Sequence, residues 1–215
     1  MSHPTITALR SLVDSRFPAS VRKAGGGLPT GVPAIDDALG GGLPPGRLTE
    51  LVSEKTGSGG QLALTRLLMT TRGARQRVAL VDAADGFSPE YVPSDALRHL
   101  VWVRPHNLAE TMAVADVLVR DGNYAMVVMD LRGLAERELL NLPKAQWHRL
   151  QRAAESRPTA VLVQTTRGLV PAVPWRLTLK TEHGLSMRRT TQDKLVAALT
   201  VEVARGHVMH EEKAG

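Results

Sequence analysis

"LTELVSEKTGSGGQLALTRLL", residues 48–68, runs from an apolar stretch through a glycine-rich turn into a segment whose leucines recur at helical spacing. Strand, small-residue loop and helix in that order build a cradle for phosphate, because the loop's backbone N–H groups and the helix N-terminus converge on one anion. A working loop of this kind reads G-x-x-x-x-G-K-[ST]; its lysine reaches the β/γ oxygens and its hydroxyl holds Mg²⁺. Counted without gaps from the strand, the four positions fall on Ser53, Ser58, Gly59 and Gly60. Lysine and hydroxyl are both replaced by glycine. Lys55 leaves from the opposite end of the loop and is poorly placed to substitute.

Outward from the loop the texture alternates. A strand at 48–52 and a helix at 61–71 are followed by "RVALVDAA" (77–84), a continuous apolar run that suits a strand buried on both faces. "HLVWVRP" reads as a strand, "NLAETMAVADVLVRDG" as a helix closed by Gly122, and "YAMVVMDLRGL" as a buried strand ending at Asp130. "LLNLPKAQWHRLQRAAESRP" gives a helix stopped by Pro158, and "TAVLVQTTRG" one more strand. Strands alternating with helices predict an α/β fold with a mainly parallel sheet covered on both faces, whose ligands sit at the strand carboxyl ends. After Pro174, period-two alternation around His183-Gly184 predicts antiparallel strands at one edge. Upstream, "KAGGGLPTGVPAIDDALGGGLPPGR" is a structured entry segment or a linker, with a helical turn at 32–39 stopped by Gly40. The expected organisation is an N-terminal amphipathic helix and Gly-rich linker (1–27), a core domain (28–209) and a frayed tail (210–215).

Composition narrows the function classes. The 215 residues contain no cysteine, which excludes disulfides and thiolate metal sites, and only 3% are aromatic, so the core rests on aliphatic packing. No run approaches the roughly 18–20 apolar residues of a membrane span, and no leader is evident; a cytoplasmic protein is expected. Lys and Arg number 27 against 21 Asp and Glu, a net charge of +6. Most of the cations are arginine, a residue that pairs bidentately with phosphate and stacks on bases. A modest surplus also serves plain solubility. The seven histidines are scattered without a metal constellation, and no nucleophile elbow occurs.

"LPTGVPAIDDALGGGLPPGRLTELV" resembles the stretch that opens the RecA-type recombinase core. "VALVDAADGFSPEYV" resembles its second strand and loop, "YAMVVMDLRGL" the strand carrying a metal-associated carboxylate, and "TAVLVQTTRG" the strand whose glutamine relays nucleotide state toward DNA. The resemblance implies a RecA-like three-layer fold and a degenerate nucleotide site formed by Lys55, Gly57, Gly59, Gly60, Asp130 and Gln164. The glutamate that activates water in recombinases is replaced by Ala84, with Asp85 beside it. With lysine, hydroxyl and base gone together, the expectation is no enzyme, no metal and no resident cofactor. Weak ATP binding through backbone N–H groups and the helix dipole stays open.

"IDDALGGGLPPGRLTELV", "GSGGQLAL" in place of a lysine loop, and "WHRLQRAAESRPTAVLVQTTR" are similar to the ImuA family, which is related to SulA. That resemblance implies an accessory role in SOS-induced mutagenic translesion DNA synthesis, through binding RecA and ImuB and in contact with single-stranded DNA. Arg167, Trp175, Arg176, Lys180, Arg188 and Arg189 follow the glutamine strand where recombinases carry a DNA-binding loop, and are candidate DNA or partner contacts. Each also suits a solvated basic edge. Ile6, Leu9, Leu12 and Val13 form an apolar face that could dock on RecA or fold back on its own core. The alternatives are a nucleotide-gated RecA/RadA-type ATPase with an atypical phosphate loop, and a SulA-like inhibitor of cell division.

Overall fold

The computed structural model describes residues 26–55, 57–171, 173–181 and 190–205, with 204 and 205 by backbone alone. Seven strands, β1 (Leu48–Val52), β2 (Val78–Asp82), β3 (Leu100–Val103), β4 (Met126–Asp130), β5 (Ala160–Thr165), β6 (Trp175–Leu179) and β7 (Val201–Arg205), form one sheet in the order β3-β2-β4-β5-β1-β6-β7. Every pairing is parallel except β6 with β7. The apolar runs explain this arrangement: β1, β2, β4 and β5 are buried along their whole length, as strands covered on both faces must be.

Seven helices accompany the sheet among the described residues: α1 (Pro33–Ala38), α2 (Gly60–Gly73), α3 (Ser94–Leu97), α4 (Leu108–Asp121), α5 (Glu136–Leu140), α6 (Lys144–Glu155) and α7 (Gln192–Ala197). Strand alternation divides the core into two layers. Val78 and Leu80 pack with Leu64, Leu67 and Leu68 of α2 and with Ile35 of α1, whereas Ala79 and Val81 pack with Met112 and Val119 of α4 and Leu150 of α6. Truncating any one of the buried α2 leucines to alanine removes about 2–5 kcal/mol.

The segment before β1 is built into the fold. Leu28 and Leu43 exchange backbone hydrogen bonds of 2.7 and 2.8 Å, and the Asp36 carboxylate accepts from the backbone N–H of Thr30 and Gly31. The helical turn expected at 32–39 is α1.

The C-terminal region departs from expectation in two respects. β6 runs parallel to β1, with Thr49 opposite Trp175, so the antiparallel element at this edge is the β6–β7 pair. Residues 192–197 form α7 instead of a strand. Val196 is the buried residue of that helix, and Lys194 and Ala198, two positions to either side, are exposed, so no period-two face forms. A short 3₁₀ turn (Pro89–Tyr91) and α3 also lie between β2 and β3 where a plain loop was expected. The N-terminal helix with Ile6, Leu9, Leu12 and Val13, the turn at His183-Gly184 and the tail lie outside the described residues.

Candidate functional site

A cleft of about 900 Å³ opens at the carboxyl ends of the parallel strands, lined by Ser53, Gly60, Asp82, Asp130, Arg132 and Thr166, among others. Strand direction puts it there: each strand enters from the same end, so the loops after β1, β2, β4 and β5 gather at the other.

The loop after β1 makes the floor. Ser53 N–H donates to the Thr165 carbonyl at 2.8 Å, pinning the loop to β5 as it leaves the sheet. Gly57 and Gly59 have φ of 85° and 101°, a region that side chains disfavour, and they turn the chain into α2. Gly59 is the residue before the first helical turn, and no side chain caps that turn or adds an acid to it. α4, of the same length on the opposite face of the sheet, is finished differently: the Asn107 side chain accepts from the Glu110 N–H, and Glu110 sits in the first turn. One helix is closed at its N-terminus by its own residues, and the other leaves its N-terminal amides to the cleft. The hydroxyls of Ser53 and Ser58, both 5% exposed, have no hydrogen-bond partner. Buried hydroxyls without partners are uncommon and mark a place where a ligand or water belongs.

The wall opposite the loop carries the feature that the sequence did not disclose. Asp130, at the end of β4, is held by Arg132: the backbone N–H and Nε of Arg132 donate to Oδ1 at 3.2 and 2.8 Å, and Nη2 donates to Oδ2 at 2.5 Å. Both side chains are largely buried, 20% exposed for Arg132 and 4% for Asp130. The free edge of the guanidinium lies over the start of α2, where a Cβ added to Gly60 would collide with Arg132 Nη1 and with Ser53 Oγ. A cation at a helix N-terminus opposes the helix dipole by ~0.3–1 kcal/mol unless an anion lies between them. Asp130 balances the charge from one side, and the cleft is open on the other. These residues suit a phosphate group. They do not suit Mg²⁺: the carboxylate that the resemblance assigns to the metal has both oxygens engaged by a cation, and Gly60 stands where the metal-binding hydroxyl would be.

The remaining candidates separate into groups. Gln164 is fully buried on β5; its Nε2 donates to the Gly60 carbonyl at 3.4 Å and its Oε1 has no partner. It therefore joins Gly60 and Asp130 at one spot, and Lys55 and Gly57 lie on the exposed rim. Asp82 is not free, accepting from the N–H groups of Gly86 and Phe87 and from Trp102 Nε1. Ala84 lines the cleft, while Asp85 pairs with Arg104 at 3.3 Å. Arg176, expected on an outward face, turns inward: it pairs with the fully buried Glu50 and donates to the Val170 carbonyl. A charge inside the β1 layer requires that partner. Trp175 is half-buried; Arg167 is exposed and bonds Glu136 at 2.6 Å, and Lys180 bonds Glu202 at 3.1 Å. Arg188 and Arg189 lie outside the described residues. Sequence reasoning missed Arg132, whose signal was a cation two residues beyond a strand-terminal acid. It also missed the cover: α7 contributes Gln192 and Leu195 to the cleft wall, and Leu199 rests against Gly59.

A parallel sheet with a glycine loop and an open helix N-terminus at the strand carboxyl ends defines the class of α/β domains that seat phosphate groups. The RecA N-terminal domain family matches residues 19–139, more than half of the chain, and the chain belongs to that family. It is 36% identical over 107 residues to the protein RecA of Streptomyces avermitilis, covering 48% of this chain and 28% of the relative. It is 33% identical over 115 residues to the DNA repair and recombination protein RadB of Thermococcus kodakarensis, covering 48% of this chain and 50% of the relative. The chain thus spans half or less of the length of these relatives. A crystal structure of the RadB recombinase superposes with a TM-score of 0.56 at 24% identity, over 71% of this chain and 82% of that one, and supports the fold. The expectation that the chain is no enzyme, drawn from the absent lysine, hydroxyl and base, is overturned by these relatives, which are named as the protein RecA and as a DNA repair and recombination protein, RadB. Among the described residues no helix is long and apolar enough to cross a membrane.

Proposed function

We propose that this chain is a nucleotide-gated DNA-repair factor of the RecA family, in which occupation of the cleft governs association with other macromolecules. The observation that carries this reading is the uncapped N-terminus of α2, facing a cleft that also holds two buried hydroxyls without partners. Such groups are costly unless something accepts from or donates to them, and a nucleotide's phosphates do so. On the rim of the same cleft Tyr91, 68% exposed, offers a ring face to a base. The associations proposed are those of an ImuA-type accessory factor in damage-induced translesion synthesis: RecA, ImuB and single-stranded DNA. The net charge of +6 favours association with nucleic acid, and so this reading over a SulA-like inhibitor.

The test has two arms. Thermal midpoints with ADP and ATP should rise saturably, by the equivalent of ~2.7 kcal/mol when ligand reaches a hundredfold excess over Kd. RecA and ImuB should be retained by the immobilised chain to different extents with and without nucleotide. A midpoint indifferent to millimolar nucleotide, together with retention that nucleotide does not alter, would sink the gated reading. Phosphate release measured with and without single-stranded DNA then reports whether gating is accompanied by turnover.

A further inference from the structure

We propose that Arg132 is the phosphate-binding cation of this cleft, replacing by one guanidinium both the loop lysine and the magnesium ion. The inference rests on the nucleotide reading above and assigns the side chain that would carry it. A guanidinium has two usable edges, with five N–H donors in a planar fork. In this chain the edge made of Nε and Nη2 is clamped by the Asp130 carboxylate, which leaves Nη1 lying over the Gly60 backbone at the head of α2. That orientation is the one an anion seated on the N-terminal amides would meet.

Two observations converge on this spot. Position 60 has no side chain, and any Cβ there would displace the guanidinium. Ser53 Oγ, buried and without a partner, borders the same point, as that Cβ would also strike it. Without ligand, Asp130 neutralises Arg132; with ligand, the guanidinium is shared between carboxylate and phosphate, each taking one edge. A divalent ion has no carboxylate left to bind at Asp130, so phosphate recognition here is independent of magnesium.

The experiment is isothermal titration of the full chain with ATP and with inorganic triphosphate, each in excess magnesium and in EDTA. The expected result is saturable binding whose Kd in EDTA lies within threefold of that in magnesium. Arg132→Ala should weaken ATP binding at least tenfold, Arg132→Lys should recover part of that loss, and Lys55→Ala should change it by less than threefold. Circular dichroism and the thermal midpoint of each variant establish that it is folded. Binding of ATP but not triphosphate shows that the base is also read; equal binding shows that the phosphates suffice, and both are compatible with Arg132 as the cation. Binding that requires magnesium, or that is lost in Lys55→Ala and kept in Arg132→Ala, overturns the assignment while the gated reading stands. Absence of binding by either probe under both conditions overturns the two together.

Discussion

Two carboxylate–arginine pairs sit in one sheet and differ in what is left over once the pair has formed. Glu50, in the middle of β1, is fully buried and accepts from Thr165 Oγ1, from the N–H groups of Leu169 and Val170, and from Arg176. Arg176 in turn donates to the Val170 carbonyl, so the cluster closes on itself and knots the loop after β5 to β1 and β6. Asp130 and Arg132, at the end of β4, make an equally tight pair, yet the guanidinium keeps one edge over an uncapped helix. The same two functional groups therefore serve as a staple in one place and as a poised receptor in the other. Surplus bonding capacity makes the difference; charge does not.

Substitutions can break or sharpen that contrast. The largest effect is expected from Arg176→Ala, which strands the Glu50 charge in the core and should cost about 3–5 kcal/mol in urea denaturation. A loss below 1 kcal/mol would mean that the cluster is not the staple described. Arg132→Ala should cost less, about 1–3 kcal/mol, because Asp130 still accepts from a backbone N–H and lies beside an open cleft. The ordering of these two variants is the check: if Arg132→Ala proves the more damaging, the receptor is a staple too. Gly60→Ala gains up to ~1 kcal/mol of helix propensity while pushing the guanidinium aside, so its stability should stay within about 1 kcal/mol of the parent while triphosphate binding weakens. Calorimetry on the folded variant separates the two quantities.

The smallest effect concerns a group remote from both pairs. His99 bonds Thr71 Oγ1 on α2 at 2.9 Å, and burial, aided by the nearby Arg72 charge, holds its pKa below the usual histidine value of 6.5. The folded state therefore binds fewer protons than the unfolded chain between the two pKa values, and stability rises with pH across that window. As pH falls below about 6.5 the unfolded chain takes up the proton and the fold weakens. His99→Gln should flatten this acid limb in thermal melts between pH 5 and 7 and leave the plateau above it unchanged.

What could be read from the sequence follows from the range of the forces involved. "VALVD" and "MVVMD" announce strands buried on both faces because their neighbours supply no alternation, and the glycine loop announces the cradle through local backbone need. The partner of Glu50 lies 126 residues away, so a carboxylate inside an apolar strand was visible and its resolution was not. Arg132 stands beside Asp130 in the chain, but the importance of its direction comes from Gly60, which only the order of the strands brings near. α7 was hidden by a mixed run in which three-residue and two-residue spacings compete, and burial decided between them.

Gly59 holds the place where a phosphate loop would keep its lysine. Its φ of 101° penalises any L side chain, and a Cβ there would overlap the Leu199 side chain. Writing Gly59→Lys into this chain would thus install an amine on a backbone that cannot aim it, under a leucine that has to be evicted first. The departure from a lysine loop is stored in the course of the main chain and in the leucine that covers it. The single substitution does not supply that cation, and a lysine aimed into the cleft from this position requires the loop and residue 199 to be rebuilt together.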